Sequence, residues 1–415
     1  MRYLLLVVLL SAGVGRAEWT RWHGEGFNGA GDAQRLADQW GPGTNVRWVA
    51  EMPGVSAATP IVSEGRVYVS VFEEKTATIG ALCFSVAEGK ELWRRDVAKG
   101  VKAQRPDSVA AASAVVGNGR VIFTFSSGDV AAFDTAGKLL WKCNLVTTYG
   151  ELGNKFGYSS SPVLGDGRLF IQILRDNANP SLVVCLDAAS GREVWKVERA
   201  TSAKEENKDA YSTPCFVKDA GRTLLVVAGG DYITAHELKD GREVWRSKCY
   251  AEAGTKNFNR LIPSPTVCGD QVVLPVNRGS KLVAVKIGSG DWSWTLPKVS
   301  SDVSTPLFYK GNVYVLDSGT RKMFCVEAKT GALLNTVKLP GSRSCYASPV
   351  AGDGKIYVMT LAGDVLVVKA DQGMDLIRHI EMGEDALGST VAIAEGCLFL
   401  RTGGKLYCVE NGKAK

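Results

Sequence analysis

Short apolar runs alternate with polar, glycine-bearing turns along most of the chain, and no stretch keeps the apolar spacing of a long amphipathic helix. One unit recurs. It opens at a Ser/Thr-Pro step, runs on as an apolar segment, turns, and returns as a second alternating strand. Thr59-Pro60-Ile61-Val62 leads to Gly65-Arg66-Val67-Tyr68-Val69, and Ser161-Pro162-Val163-Leu164 leads to Gly167-Arg168-Leu169-Phe170-Ile171. Further copies open at Thr213-Pro214, Ser264-Pro265, Thr305-Pro306 and Ser348-Pro349, with weaker ones at Ser113-Ala114 and Ser389-Thr390. The eight starts lie 41 to 54 residues apart, the length of a four-stranded propeller blade.

The second half of each unit is a third strand, a turn and a fourth strand. A turn glycine is followed four residues later by tryptophan in five copies: Gly89 to Trp93, Gly137 to Trp141, Gly191 to Trp195, Gly241 to Trp245 and Gly290 to Trp294. Two more copies keep the glycine and lose the ring, at Gly331 and Asn335 and at Gly373 and Ile377. Glycine supplies the positive φ a tight turn needs. The tryptophan offers a large apolar surface on the outer strand, suited to the widening gap between blades.

Closure makes an independent check. The eighth unit runs from Ser389 through Leu406-Tyr407-Cys408-Val409 to a predicted turn at Asn411-Gly412, one strand short. Asn45-Val46-Arg47-Trp48-Val49-Ala50 resembles a fourth strand, tryptophan included, and precedes the first Ser/Thr-Pro step. The pattern therefore predicts an all-β chain: an eight-bladed β-propeller of four-stranded antiparallel blades over 45–413, its ring shut by an N-terminal strand at about 45–52 that completes the last blade. Closure of this kind removes exposed sheet edges. Residues 18–44, rich in glycine and tryptophan, form a lead-in packed on the propeller.

Composition adds little to that picture except at the N-terminus. Met1-Arg2, the apolar Tyr3 to Leu10 and the small residues Gly15 and Ala17 read as a signal peptide over 1–17, cleaved near Ala17, which places the protein in the periplasm or outside the cell. The apolar run is too short to span a bilayer. The net charge of +6 includes Arg2 and Arg16 of the leader, and no run of like charges indicates nucleic acid or a membrane surface. Of ten cysteines, Cys83, Cys185, Cys325 and Cys408 share one register in four repeats and read as small buried residues; a single bridge among the others is left open. A monomer is expected.

The turn Leu186-Asp187-Ala188-Ala189-Ser190-Gly191-Arg192-Glu193-Val194-Trp195, and its counterpart Val86-Ala87-Glu88-Gly89-Lys90-Glu91-Leu92-Trp93, resemble the pyrroloquinoline-quinone-type propeller repeat. The resemblance covers about 45–413. Trp19-Thr20-Arg21-Trp22-His23-Gly24 is similar to the start of exported propeller proteins of planctomycete-like bacteria. The family resemblance implies one of two functional types. Quinoprotein dehydrogenases oxidise alcohols or sugars with bound quinone and calcium. Non-catalytic propellers, such as the lipoprotein of the outer-membrane barrel-assembly machinery, which an eight-blade count matches, bind partner proteins. The repeat is structural in both, so fold alone does not choose.

The residues favour the second type. There is no adjacent cysteine pair, no Cys-x-x-Cys-His segment, no Gly-x-Ser-x-Gly elbow and no phosphate loop. The histidines, His23, His236 and His379, have no ligand spacing. Four loops leading into the innermost strands are long: Ala98–Ala110, Val146–Ser159, Arg199–Ser212 and Tyr250–Pro263. With the shorter ones they bring Arg105, Phe156, Tyr158, Asp209, Tyr211, Asn259, Arg260, Asp302, Arg343 and Tyr346 to the mouth of the central channel. These residue types suit a protein partner or an extended ligand. No cofactor or metal is expected on this reading. On the alternative, the cations would hold the carboxylates of pyrroloquinoline quinone beside calcium, and Asp209 or Asp302 would act as base.

Overall fold

The computed structural model describes residues 17–31, 35–102, 105–177, 179–249, 260–276 and 281–414. Eight four-stranded antiparallel sheets follow one another around a central channel. Blades 1 to 7 span 61–98, 115–144, 163–198, 215–248, 266–297, 307–338 and 350–380, each with its strands in chain order. Blade 8 takes three strands from 392–414, and Thr44–Glu51 adds the outermost one. The two middle strands of each blade are buried on both faces and read as continuous apolar runs, as in Leu182–Asp187. The outer strands alternate, as in Glu193–Glu198, because one of their faces meets water.

The closing strand pairs with Lys405–Ala414 from Thr44 opposite Ala414 to Glu51 opposite Lys405. The pairing contains register shifts between Thr44 and Trp48. Asn411-Gly412, expected as a turn, lies inside that strand instead. Gly412 has φ +87°, and its N–H donates to Asn45 Oδ1 at 3.0 Å, so the glycine serves an irregular pairing rather than a chain reversal. The expected leader lies outside the described residues, apart from Ala17, whose carbonyl accepts from Glu395 N–H at 2.9 Å.

Each tryptophan of the repeat staples its blade to the next. Trp48, Trp93, Trp141, Trp195, Trp245 and Trp294 donate from Nε1 to the carbonyls of Val86, Thr135, Ala188, Leu238, Ile287 and Ala328, all in the turn of the following blade. The turn glycine has a second task that its φ alone does not reveal. A Cβ on Gly191 would come within 2.5 Å of Trp141, and one on Gly331 within 2.5 Å of Trp294. The glycine is the seat on which the preceding blade's indole lies. Within its own blade each indole stands opposite a small residue: Cys83 faces Trp93, Cys185 faces Trp195, Cys408 faces Trp48, and Ala132 faces Trp141. This explains the register of Cys83, Cys185 and Cys408, while Cys325 in the same register faces Asn335, and all ten cysteines are free thiols. Asn335 takes the tryptophan position of blade 6 and donates to Gln372 and Gly373 carbonyls, keeping the inter-blade bond without the ring.

The Ser/Thr-Pro steps form a belt around the channel. Backbone N–H groups of Thr59, Ser113, Ser161, Thr213, Ser264, Thr305 and Ser348 each donate to the hydroxyl of the next blade's step, at 2.9 to 3.1 Å. The eighth step contributes Thr390, one residue later than Ser389. Proline after the step holds its neighbour extended, which fixes where each hydroxyl stands. Between blades 8 and 1 the linkage changes: Ser389 Oγ donates to Ala58 O at 2.8 Å, and the buried Arg401 guanidinium donates to Ser70 and Gly54 carbonyls at 2.7 and 3.0 Å.

The lead-in crosses the far end of the channel as a strap. Ala17 bonds to blade 8, Trp19 to Val62 of blade 1, and Thr20 to Val116 of blade 2. Phe27, Asn28 and Gly29 bond to Val267, Phe308 and Ala351 of blades 5, 6 and 7. Between them Trp22 and His23 turn inward, their rings stacked at 5.7 Å. Burial holds the His23 imidazole down to a pKa of about 4, with a backbone bond at Phe27 opposing the shift.

Two measurements follow from these contacts. Gly191→Ala should lower stability in urea by on the order of 2–4 kcal/mol, combining left-handed strain with a clash on Trp141. Gly167→Ala, with a similar φ of +70° and nothing within 4 Å, should cost only the strain. The second concerns acid. With its folded pKa below the unfolded value, His23 gives full stability above about pH 6.5 and loses it as pH falls toward 4, by on the order of 3 kcal/mol. His23→Gln should flatten that part of the urea-midpoint profile against pH.

Candidate functional site

The end of the channel opposite the strap is open. The short helix Pro106–Val109, the loop through Phe156, the loop through Tyr211 and the turns around Asp302 and Tyr346 surround a cavity of about 360 Å³. It narrows into a second space of about 140 Å³ that reaches Trp22.

Phe156 is the centre of the mouth. Arg105, Lys155 and Arg260 place their cationic groups 5.9, 5.7 and 4.8 Å from its ring, and Tyr211 lies against it at 6.4 Å. Arg105 is half exposed and paired with Asp107 at 3.1 Å. Arg260 is nearly buried and paired with Glu206 at 2.7 Å, so removing either partner would strand a charge. Asp302 and the exposed Tyr346 stand on the wall beside Ile262, Val303 and Leu387.

Rigid anchors hold these loops. Arg175, fully buried, donates to the carbonyls of Tyr149, Gly150, Glu151 and Pro180 and pins the loop that carries Phe156. Arg199 does the same for Gly229 and Tyr232, and burial pushes its pKa down to about 10. Arg199 also donates from Nε to Thr234 Oγ1 at 3.0 Å, and a guanidinium held through several bonds at once keeps its loop in one conformation.

The structure thus gathers Arg105, Tyr211, Arg260, Asp302 and Tyr346 around one cavity. Three other expected residues stand elsewhere. Tyr158 is buried and donates to Gln172 O at 2.8 Å, as a structural strut. Asp209 is fully buried beneath the mouth, between Asn154 Nδ2 and the Tyr211 hydroxyl, each at 3.3 Å, and cannot touch a ligand there. Arg343 lies on the outer rim in an ion pair with Asp385 and does not line the cavity. Asn259 falls outside the described residues. The apolar wall of Ile262, Val303 and Leu387 escaped the sequence reading, because isolated apolar loop residues carry no periodic signal. His236 and His379 are engaged in their strands, with Gly241 and Thr234 and with Asp364 respectively.

The profile of the family described as outer membrane protein assembly factor BamB matches residues 42–173 and 179–411. The chain belongs to the BamB family. A BamB of Bordetella pertussis is 25% identical over 235 residues, 55% of this chain and 52% of its own length. The chain thus spans about half the length of that curated BamB relative. The crystal structure of BamB from Moraxella catarrhalis superposes with a TM-score of 0.67 at 13% identity, covering 88% of this chain and 99% of that one. A europium-containing methanol dehydrogenase superposes with a TM-score of 0.71 at 11% identity, over 94% and 90% of the two chains. At these identities the superpositions show the propeller fold and nothing about chemistry. No helix among the described residues is long and apolar enough to cross a membrane.

Asp209 yields a prediction about the ground beneath the mouth of this BamB-family propeller. Burial, then the nearby Asp176 charge, pushes its carboxyl up to about 7, against hydrogen bonds that favour the ion. A raised carboxyl pKa means the folded state holds the proton more tightly, so stability falls as pH rises from about 4 through 7. Asp209→Asn should gain on wild type over that interval, by a few kcal/mol at most, in urea midpoints taken at pH 4.5 and 8.

Proposed function

We propose that this member of the BamB family is an exported, non-catalytic propeller that docks a protein partner on its mouth face, in the setting of outer-membrane protein assembly. The observation that carries the reading is Phe156 clasped by Arg105 and Arg260, with exposed Tyr346 across the cavity. Arginine and aromatic side chains held rigidly around a recess are the usual composition of binding hot spots. The buried arginines keep those loops in shape before any partner arrives, which lowers the ordering entropy of association. The family membership and the expected leader supply the setting.

A photo-crosslinking residue at Tyr346 should give adducts with an assembly component in native envelopes, and one at Leu92 on the outer rim should not. Phe156→Ala with Arg260→Ala should reduce the Tyr346 adduct at least tenfold. Equal labelling at both positions would refute the docking reading.

A second reading, a quinone-dependent dehydrogenase or its relic, draws on one feature: a mouth of about 360 Å³ with two guanidinium groups and Asp302 on its wall. On that reading Arg105 and Arg260 would hold the quinone carboxylates. Titration with pyrroloquinoline quinone and calcium, followed by tryptophan fluorescence, decides it. Micromolar binding lost in Arg260→Ala would favour the dehydrogenase over the docking protein.

A further inference from the structure

We infer that the blind channel below the mouth is a binding site for the carboxylate of a narrow, acid-ended ligand. The inference rests on the reading of the mouth as the working face of the propeller.

The argument is an accounting of protons. Ser161, Thr213, Ser264, Thr305 and Ser348 wall the channel, and each is at least 95% buried. Each hydroxyl oxygen accepts a backbone N–H from the preceding blade. Ser264 accepts a second donor, Trp22 Nε1 at 3.1 Å, from the floor of the channel. A hydroxyl has two lone pairs and one proton. With both lone pairs of Ser264 engaged, that group can only donate. None of the five hydroxyls donates to a protein acceptor among the described residues. The belt that binds the blades together therefore leaves five buried O–H donors facing the blind end of the channel, and buried donors require acceptors.

A carboxylate answers that demand better than a neutral group. Its two oxygens accept several bonds, and bonds to an ion are shorter and stronger than neutral ones. The space of about 140 Å³ is too narrow for a fused ring system, and suits a carboxylate on a short stem. Ala57, Ala111, Ile262 and Val303 give the stem an apolar wall. Arg105 and Arg260 stand above it, but Asp107 and Asp302 share the mouth, so the selectivity comes from the hydroxyl wall. The carboxylate could belong to a small organic acid or to the chain end of a docked partner.

Calorimetric titration of the whole protein at pH 7 separates these. The probes are glutarate, acetyl-pentaglycine with a free carboxyl end, and the same peptide as its amide. Trp22, at the floor, reports occupancy by fluorescence. Saturable sub-millimolar binding of glutarate alone supports the site with a small acid as its source. Binding of the free-ended peptide, at least tenfold tighter than its amide, supports a chain end. Thr305→Val should weaken either at least tenfold. Because that change also removes a belt contact, Ile262→Phe is the second variant: it fills the channel, leaves the belt intact and should abolish binding. No binding by any probe, equal binding of acid and amide, or binding unaffected by Ile262→Phe would overturn the inference. If cross-links at Tyr346 persist in that case, the docking reading stands and this one falls alone. Carboxylate binding without position-dependent cross-links has the opposite meaning.

Discussion

The belt of hydroxyls is the constraint on which the rest depends. Eight blades are held to one another mainly by side-chain packing, which is non-directional and by itself would tolerate small rotations of one blade on the next. A serine or threonine at each step converts that into a hydrogen-bonded register, blade after blade from Thr59 to Thr390. A single bond of this kind contributes on the order of 1 kcal/mol net. Seven in series do something more important than their sum, because each fixes the angle at which the next blade begins. Six tryptophan staples and Asn335 repeat the device at the outer radius, at every seam except that between blades 7 and 8.

The constraint has a weak place, and the chain treats it specially. Where blade 8 meets blade 1 the belt bond is replaced by Ser389 and by the fully buried Arg401. The guanidinium reaches the Ser70 carbonyl of the first blade and the Gly54 carbonyl of the segment leading into it, and burial draws its pKa down to about 9. Trp48 and the strap add further bonds across the same seam. The join between the two ends of the repeat series thus lacks the belt bond and is held instead by Ser389, the Arg401 guanidinium, the Trp48 staple and the strap.

How much of this was legible depended on periodicity. The glycine-to-tryptophan spacing and the Ser/Thr-Pro steps gave blade number, blade bounds and the closing strand, because each copy repeats the same local physics. What the repeat cannot report is the neighbour across a gap. Gly191 reads as a turn residue, and its role as the seat of Trp141 needs the inter-blade distance. Ser389 and Thr390 look equivalent in sequence, and only packing selects Thr390. The mouth shows the same limit. Loop membership brought Arg105, Tyr211, Arg260, Asp302 and Tyr346 together, and they line one cavity. It could not say that Asp209, two residues before Tyr211, turns under the floor, or that Arg343, three before Tyr346, turns outward to Asp385.

The closing strand has a consequence for the order of events in biogenesis. Thr44–Glu51 is made before any blade, yet its partner is the last stretch of the propeller, Lys405–Ala414. A nascent chain emerging N-terminus first therefore carries a strand whose pairing partner arrives only after some 350 more residues, while the strap's first contacts, with blades 1 and 2, become available much sooner. Contacts of such sequence separation form late, after a large loop-closure entropy has been overcome. Through that interval the unfinished ring presents open sheet edges at both ends, the kind of surface on which incomplete folds associate.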